Sequence, residues 1–126
     1  MKALNLGSVA LALLLSLTFG AGCNRSTPPP TSFPVQEMPA ALEKAFSKAK
    51  PDIKDLANQV VAAVQAQDYS RAFQAIQDLA SRPGLTKDQV SVTSRATLTV
   101  NSLLQTAVTK GDTKAAETLQ GYRKDK

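Results

Sequence analysis

Residues 51–80 read PDIKDLANQVVAAVQAQDYSRAFQAIQDLA, and this stretch decides the fold class. Its apolar residues recur at helical spacing in two runs, which are separated by the polar pair Gln67-Asp68. Pro51 suits the first position of a helix, and the acids Asp52 and Asp55 suit the positive end of the helix dipole. The stretch therefore predicts two consecutive helices. Their apolar positions are Ile53, Leu56, Val60 and Val64, and then Tyr69, Ala72, Phe73, Ile76 and Leu79.

The flanking sequence predicts three further helices, one before this pair and two after it. Arg82-Pro83-Gly84 breaks the helical pattern, and Thr86 with Gln89 has the spacing of a capping box, which predicts a new helix start. Lys110-Gly111-Asp112 ends that helix and begins a last one. The leading helix, from Ala40, has the stripe Leu42, Ala45, Phe46 and Ala49, and the last helix has Ala115, Ala116, Leu119 and Tyr122.

Residues 90–100 fit two interpretations. Their apolar residues lie at even positions and the stretch is rich in Thr and Val, which favours a strand. The sequence has no second strand-like segment, however, and a lone strand would leave its backbone groups unpaired. We therefore predict one long helix over about residues 86–109. Its apolar stripe is Val92, Ala96, Val100, Leu103 or Leu104, and Ala107.

These segments predict an all-α fold for residues 40–126, a compact bundle of about five short helices in which two helical hairpins follow a leading helix. A shift of 44 residues superimposes Val60 on Leu104 and Asp68 on Asp112. The segments QDYSRAFQAI and KGDTKAAETL resemble the second helix of tetratricopeptide repeats, whose usual spacing is about 34 residues. That resemblance implies stacked hairpins, and the alternative is two antiparallel helix pairs in one bundle.

Residues 24–39 read NRSTPPPTSFPVQEMP and contain five prolines. This composition favours extended polyproline II, so we predict a solvated, disordered linker over residues 23–39. At about 3.1 Å per residue, such a linker would reach roughly 50 Å. Phe33, Val35 and Met38 are candidates to pack back onto the domain.

Residues 1–22 have the layout of a secretory signal peptide. Lys2 supplies a short positive region, residues 9–19 read VALALLLSLTF, and three small residues then precede Cys23. A membrane-spanning helix needs roughly 20 apolar residues, and this apolar run is shorter. A cleaved signal peptide is therefore favoured over a retained membrane anchor.

The motif Gly20-Ala21-Gly22-Cys23 after a Leu-rich core resembles the end of a bacterial lipoprotein signal peptide. The resemblance implies cleavage before Cys23, a diacylglycerol on the Cys23 sulfur and a further acyl chain on its amino group. Gly20 stands where that family usually has Leu, and ordinary cleavage that leaves a free Cys23 thiol is the alternative. Because Asn24 rather than Asp follows, the resemblance favours the outer membrane over the inner membrane. Several acyl chains on one residue would hold the protein permanently.

The composition argues against an enzyme and against binding of nucleic acid. The full sequence has no His and one Cys, so the commonest general base and metal ligand is missing. It also has no phosphate-binding glycine loop and no metal-binding spacing, so we expect no catalytic residue, cofactor or metal. The net charge is +5 without a run of like charges, and aromatic residues make up 5%, too few for a base-stacking platform.

Three surface features are candidates for binding. A row of hydroxyls on the long helix would line a polar groove or a solvated face, and a group of lysines would contact anionic headgroups or simply confer solubility. Tyr122-Arg123-Lys124 resembles the ending of peptidoglycan-linked outer-membrane lipoproteins, which implies a covalent wall link. Here two residues follow it, and the coiled coil of that family is absent. The hydroxyl row is Ser91, Ser94, Thr97 and Thr99 with Arg95, and the lysines are Lys44, Lys48, Lys50 and Lys54.

We expect a non-catalytic helical lipoprotein that presents a protein-binding surface at the cell envelope. Its partners would be the membrane, through Cys23, and an envelope protein, and an open apolar groove would favour this function. A small-ligand or lipid carrier would instead need an enclosed apolar cavity. A wall-linked structural lipoprotein would have its C-terminal peptide joined to peptidoglycan.

Overall fold

The computed structural model describes residues 28–126, which form five α-helices and no strand. The prediction of an all-α unit is confirmed for this part of the chain. The predicted signal peptide, residues 1–22, and the lipidation site Cys23 lie outside the described residues. The helices are α1 (Met38–Phe46), α2 (Pro51–Gln65), α3 (Tyr69–Ala80), α4 (Lys87–Thr109) and α5 (Thr113–Lys124).

The helices pack around a core to which α1, α2, α3 and α4 contribute most. α2 and α3 form a hairpin, α4 packs along α3, and α1 lies against both α2 and α4. α5 packs on α4 and α3 at the edge of the bundle, and Ala115 is its one fully buried residue. The largest fully buried side chains are Met38, Leu42, Phe46, Val60, Ile76, Leu79, Val100 and Leu104.

The ambiguous stretch of residues 90–100 is helical, as predicted. Val90 and Leu98, which belong only to the strand-like pattern, are exposed, whereas Ala96, Val100 and Leu104 are fully buried. Burial therefore follows the helical period rather than the alternation of a strand. The helix begins with the predicted capping box, in which the Gln89 N–H donates to Thr86 Oγ1 at 3.2 Å and the Thr86 N–H donates to Gln89 Oε1 at 3.0 Å.

The turns that end α2 and α4 have the same hydrogen bonds at positions 44 residues apart. The Asp68 N–H donates to the Ala63 carbonyl at 2.9 Å, and the Asp112 N–H donates to the Ala107 carbonyl at 3.0 Å. This six-residue closure is a Schellman motif, which places one residue in the left-handed region. That residue is Gln67 with φ 57° in the first turn and Gly111 with φ 91° in the second.

The packed unit begins earlier than the predicted boundary at residue 40. α1 starts at Met38, which is fully buried, and Pro39 occupies its first turn, where no backbone N–H is needed. Phe33 is also buried, at 9% exposure, while Val35 stays exposed. The part of the predicted linker from residue 33 to 39 therefore belongs to the folded unit, because its apolar side chains complete the core.

Candidate functional site

The N-terminal segment, residues 28–33, is bound to α4 through the backbone of Phe33. The Phe33 N–H donates to Thr99 Oγ1 at 2.9 Å, and Thr99 Oγ1 lies 2.9 Å from the Phe33 carbonyl oxygen. A hydroxyl has one hydrogen, and the Arg95 carbonyl is farther away at 3.3 Å, so Thr99 donates to Phe33. One buried side chain thereby satisfies both polar groups of the Phe33 backbone.

Arg95, one helical turn before Thr99, holds the same segment at two further points. Its Nε–H donates to the Thr31 carbonyl at 2.8 Å, and its guanidinium carbon lies 3.7 Å from the centroid of the Phe33 ring. A guanidinium stacked on an aromatic face is attracted by the ring quadrupole. Arg95 and Thr99 therefore both bind the backbone of the segment, and Arg95 also stacks on the Phe33 ring.

The predicted hydroxyl row is divided among three environments rather than lining one groove. Thr99 is buried against Phe33, and Thr97 donates to the Thr93 carbonyl at 2.8 Å within its own helix. Ser91 and Ser94 lie on the surface beside residues 28–31. Arg95 is thus the member that joins this row to the N-terminal segment.

A groove of about 670 Å³ runs between α1 and α4, next to the segment. We call it the α1–α4 groove. Lys44, Lys48 and Arg95 line it, with Asp88 as the acidic residue of its lining. The side-chain amide of Gln89 on α4 donates to the Ala45 carbonyl on α1 at 3.2 Å, and this hydrogen bond joins the two helices beside the groove.

A second groove, of about 910 Å³, lies under residues 28–31 and adjoins the first across Ser91 and Arg95. We call it the segment groove. Its lining includes Lys87 and the apolar side chains of Leu85 and Val90, and Val90 is 49% exposed. The two grooves together place four cationic side chains around the point where the N-terminal segment meets the bundle.

A third groove, of about 510 Å³, lies between α3 and α5 and has the opposite charge. Asp78, Glu117 and Asp125 line this α3–α5 groove, and its floor is aromatic. The rings of Phe73 and Tyr122 meet edge to face, with centroids 5.1 Å apart and an interplanar angle of 85°. The sequence does not reveal this groove, because its acids come from separate helices and because the helical stripe of α5 predicts that Tyr122 is buried.

Tyr122 is 37% exposed, and a cation already lies against it. The Lys126 ammonium is 4.9 Å from the centroid of the Tyr122 ring. This is the distance at which a cation interacts favourably with an aromatic face. The groove therefore presents an aromatic face that accepts a positive group, with carboxylates close by.

α3 and α5 are also tied together beside their N-termini. The Asp68 carboxylate accepts from the Arg71 N–H at 3.1 Å, which caps α3, and from the Lys114 ammonium on α5 at 3.1 Å to both oxygens. The hydrogen bond from the Arg71 backbone, followed by that from Lys114, lowers the pKa of Asp68 below its ordinary value of 3.8. Both bonds favour the charged carboxylate.

The remaining residues that the sequence pointed to lie apart from these grooves. Asp52 is exposed in the first turn of α2 and Asp55 is exposed just after it, and Asp52 Oδ2 is 4.0 Å from an Arg82 nitrogen. Within residues 28–126, no group of three or more metal-binding side chains comes together, and none of the five helices has the length and hydropathy of a membrane span. Lys50 and Lys54 are exposed near the start of α2.

Comparison of the chain with protein-family models, with curated proteins and with solved structures finds no match.

Proposed function

We propose that this protein is a non-catalytic lipoprotein of the bacterial cell envelope, whose helical domain is a protein-interaction module. Cys23 would carry the lipid after removal of residues 1–22, and the domain would face the periplasm, at the outer rather than the inner membrane. The signal-like layout of residues 1–22 and the motif before Cys23 support the anchor. Two or more acyl chains on Cys23 would make the attachment effectively permanent.

The observation that carries the interaction role is the α3–α5 groove. It combines an aromatic floor, Phe73 and Tyr122, with three carboxylates in an open concavity. Aromatic side chains are enriched among the residues that dominate binding energy at protein interfaces. This groove is formed by α3 and α5, whereas the N-terminal segment adjoins the groove between α1 and α4. A bound partner would therefore leave the contact between the N-terminal segment and α4 undisturbed.

The partner that fits this groove is a peptide segment of an envelope protein that carries a Lys or Arg. Lys126 already places an ammonium against Tyr122, and a partner cation would take that position on the ring, in the groove that the three carboxylates line. A lipid carrier receives less support from the packing, because large side chains such as Phe46, Met38 and Leu42 fill the interior among α1, α2 and α4.

Mass spectrometry of the mature protein tests the anchor. We expect an N-terminal peptide that begins at Cys23 and carries the mass of a diacylglycerol and a further acyl chain. A Cys23→Ser variant should then leave the membrane fraction at high salt, where electrostatic attraction to anionic lipid is screened. If this variant still fractionates with membranes and keeps residues 1–22, the anchor is a retained signal helix and the lipoprotein assignment fails.

Site-specific photo-crosslinking in living cells tests the interaction role. A photoreactive phenylalanine at Gln74, which lines the α3–α5 groove, should give a discrete adduct with one envelope protein. The same probe at Asn58, on the exposed side of α2, is the control and should give none. Equal adducts from both positions would mean that the groove is not the binding surface.

A charge variant makes the crosslinking test specific. Asp78→Asn with Glu117→Gln removes two carboxylates from the groove, and we expect the Gln74 adduct to fall at least several-fold. Glu43→Gln with Asp55→Asn removes the same charge from exposed positions outside the groove and should leave the adduct unchanged. A C-terminal peptide found joined to peptidoglycan would instead support a wall-linked structural role.

A further inference from the structure

We propose that the face formed by the α1–α4 groove and the segment groove binds the anionic phospholipid surface to which the protein is anchored. Four cationic side chains mark this membrane-facing side: Lys44, Lys48, Lys87 and Arg95. This binding would orient the domain relative to the membrane. The position of the anchor at Cys23 rests on the proposed function, whereas the affinity of the cationic face for anionic lipid does not.

The length of the chain between the anchor and the bundle places this face near the membrane. Arg95 binds the carbonyl of Thr31, which is eight residues after Cys23. Eight residues span at most about 29 Å even when fully extended. At the same spacing, the chain from Cys23 to Pro39 would span at most about 58 Å, so the hydrogen bond from Arg95 to Thr31 halves the length of the tether.

The size of the domain, compared with the length of the tether, determines which side of the domain faces the membrane. A folded unit of about 95 residues is roughly 30 Å across. A tether of at most about 29 Å cannot run from the lipid surface around such a body to an attachment point on its far side. The attachment point at Thr31 and the neighbouring grooves therefore lie on the side that faces the membrane.

The charge of this side matches an anionic lipid surface. Its two grooves are lined by the four cationic side chains and by one acidic side chain, Asp88. Glu43 of α1 lines a separate concavity with Lys54, and Glu37, the residue before α1, lines neither groove. The α3–α5 groove, in contrast, has three carboxylates in its lining.

Apolar side chains on the same side suit the boundary between headgroups and acyl chains. Val90 is 49% exposed and lies beside Leu85 in the segment groove, with Lys87 close by. An exposed aliphatic side chain next to a lysine can enter the interface while the ammonium group stays among the phosphates. Positive charge and exposed apolar side chains thus occur together beside residues 28–31, where the tether joins the bundle.

Vesicle co-sedimentation of the chain from Cys23 to Lys126, with Cys23→Ser and without acyl groups, tests the inference. Among residues 28–126, which the structure describes, the buried core lies within residues 33–126, so this chain keeps it. We expect binding to vesicles that contain phosphatidylglycerol, little binding to pure phosphatidylcholine, and loss of binding at high salt. Because acylation plays no part in this measurement, its failure is distinct from failure of the lipoprotein assignment.

Two triple variants with equal change of charge make the test specific to the face. Lys44→Gln, Lys48→Gln and Lys87→Gln should lower the partition coefficient by about 100-fold, since each basic residue at an anionic surface contributes roughly fivefold. Lys54→Gln, Lys110→Gln and Lys124→Gln, at exposed positions outside both grooves, should lower it only slightly. All six lysines are exposed, and circular dichroism will verify that both variants fold.

Two results would overturn the proposal. One is an absence of binding to phosphatidylglycerol vesicles at low salt, which would show that the face has no affinity for anionic lipid. The other is an equal loss in the two triple variants, which would show that net charge alone, rather than this face, drives association.

Discussion

Thr99 on α4 holds the backbone of Phe33 with a single hydroxyl, which accepts from the Phe33 N–H and donates to the Phe33 carbonyl, both at 2.9 Å. The two residues are 66 positions apart in the chain. Their contact closes the N-terminal segment onto the bundle. Together with the Arg95 hydrogen bond to Thr31, it fixes where the chain leaves the folded unit, on which the proposed orientation at the membrane depends.

Replacing Thr99 with Val should destabilise the protein by about 1–3 kcal/mol, because both Phe33 backbone groups would be left buried without a partner. Val has nearly the same shape, so the change isolates the hydroxyl. Urea unfolding followed by circular dichroism measures the effect. Thr109→Val, at an exposed position where the hydroxyl bonds only to the Gln105 carbonyl of its own helix, is the matched control and should change stability little.

The same substitution at Thr93 should have the opposite sign. Thr93 is 3% exposed, and its hydroxyl has no hydrogen-bond partner within the part of the chain that the structure describes. A buried hydroxyl without a partner costs about 1–3 kcal/mol, so Thr93→Val should raise the free energy of unfolding by about 1 kcal/mol. A loss of stability in the same urea assay would mean that this hydroxyl is bonded in solution.

The two left-handed turn residues offer a reciprocal test. Gln67 adopts φ 57°, which costs a residue with a side chain about 1–2 kcal/mol, and glycine avoids that cost at some loss of unfolded-state entropy. Gln67→Gly should therefore stabilise the protein by about 0.5–1 kcal/mol. Gly111→Gln, in the equivalent turn at φ 91°, should destabilise it by about 1 kcal/mol or more. Thermal unfolding of both variants measures the pair, and a shift of the same sign in both would refute the equivalence of the turns.

Asp68 should make stability depend on pH in the acid range. Its pKa is lower in the folded protein than in the unfolded chain, because the Arg71 backbone and Lys114 favour the carboxylate. Its stabilising contribution is therefore complete above about pH 5 and is lost as the pH falls below the ordinary value of 3.8 towards the folded value. In urea unfolding at several pH values, Asp68→Asn should lose less stability between about pH 5 and pH 2 than the natural protein.

A second variant separates the two causes of this dependence. Lys114→Gln removes the ammonium but keeps the Arg71 hydrogen bond, which is the larger cause of the lowered pKa. Its acid dependence should lie between those of the natural protein and of Asp68→Asn. An Asp68→Asn variant with the same acid dependence as the natural protein would assign the effect to other carboxylates.

Most helix boundaries could be predicted from the sequence because their signals are local. Pro51, the pair Gln67-Asp68, and Thr86 with Gln89 each act within one turn of the helix that they begin or end, and the structure has helices at these places. The start of α1 was harder to predict from the sequence. Met38 and Phe33 lie in a proline-rich stretch, and only the presence of α4 and the core explains why they are buried.

The candidate sites were harder to predict than the helices, because they combine distant residues. Thr99 reads as one of several polar positions on a helix, and its partner Phe33 lies in what reads as a linker. The carboxylates of the α3–α5 groove come from two helices, and Tyr122 stays exposed because α5 lies at the edge of the bundle. Spacing within one helix carries no information on such neighbours.

The sequence by itself determined the all-α class, the start of α4 at its capping box and the two equivalent turns, since helical period, capping and turn formation involve residues that are close in the chain. The tertiary structure alone decided which hydroxyls are buried, where the N-terminal segment is held and how the charges divide between the α1–α4 and α3–α5 grooves. The physical reason is that packing brings together side chains from different helices, and the energies of hydrogen bonds, cation–π contacts and charge pairs depend on those distances.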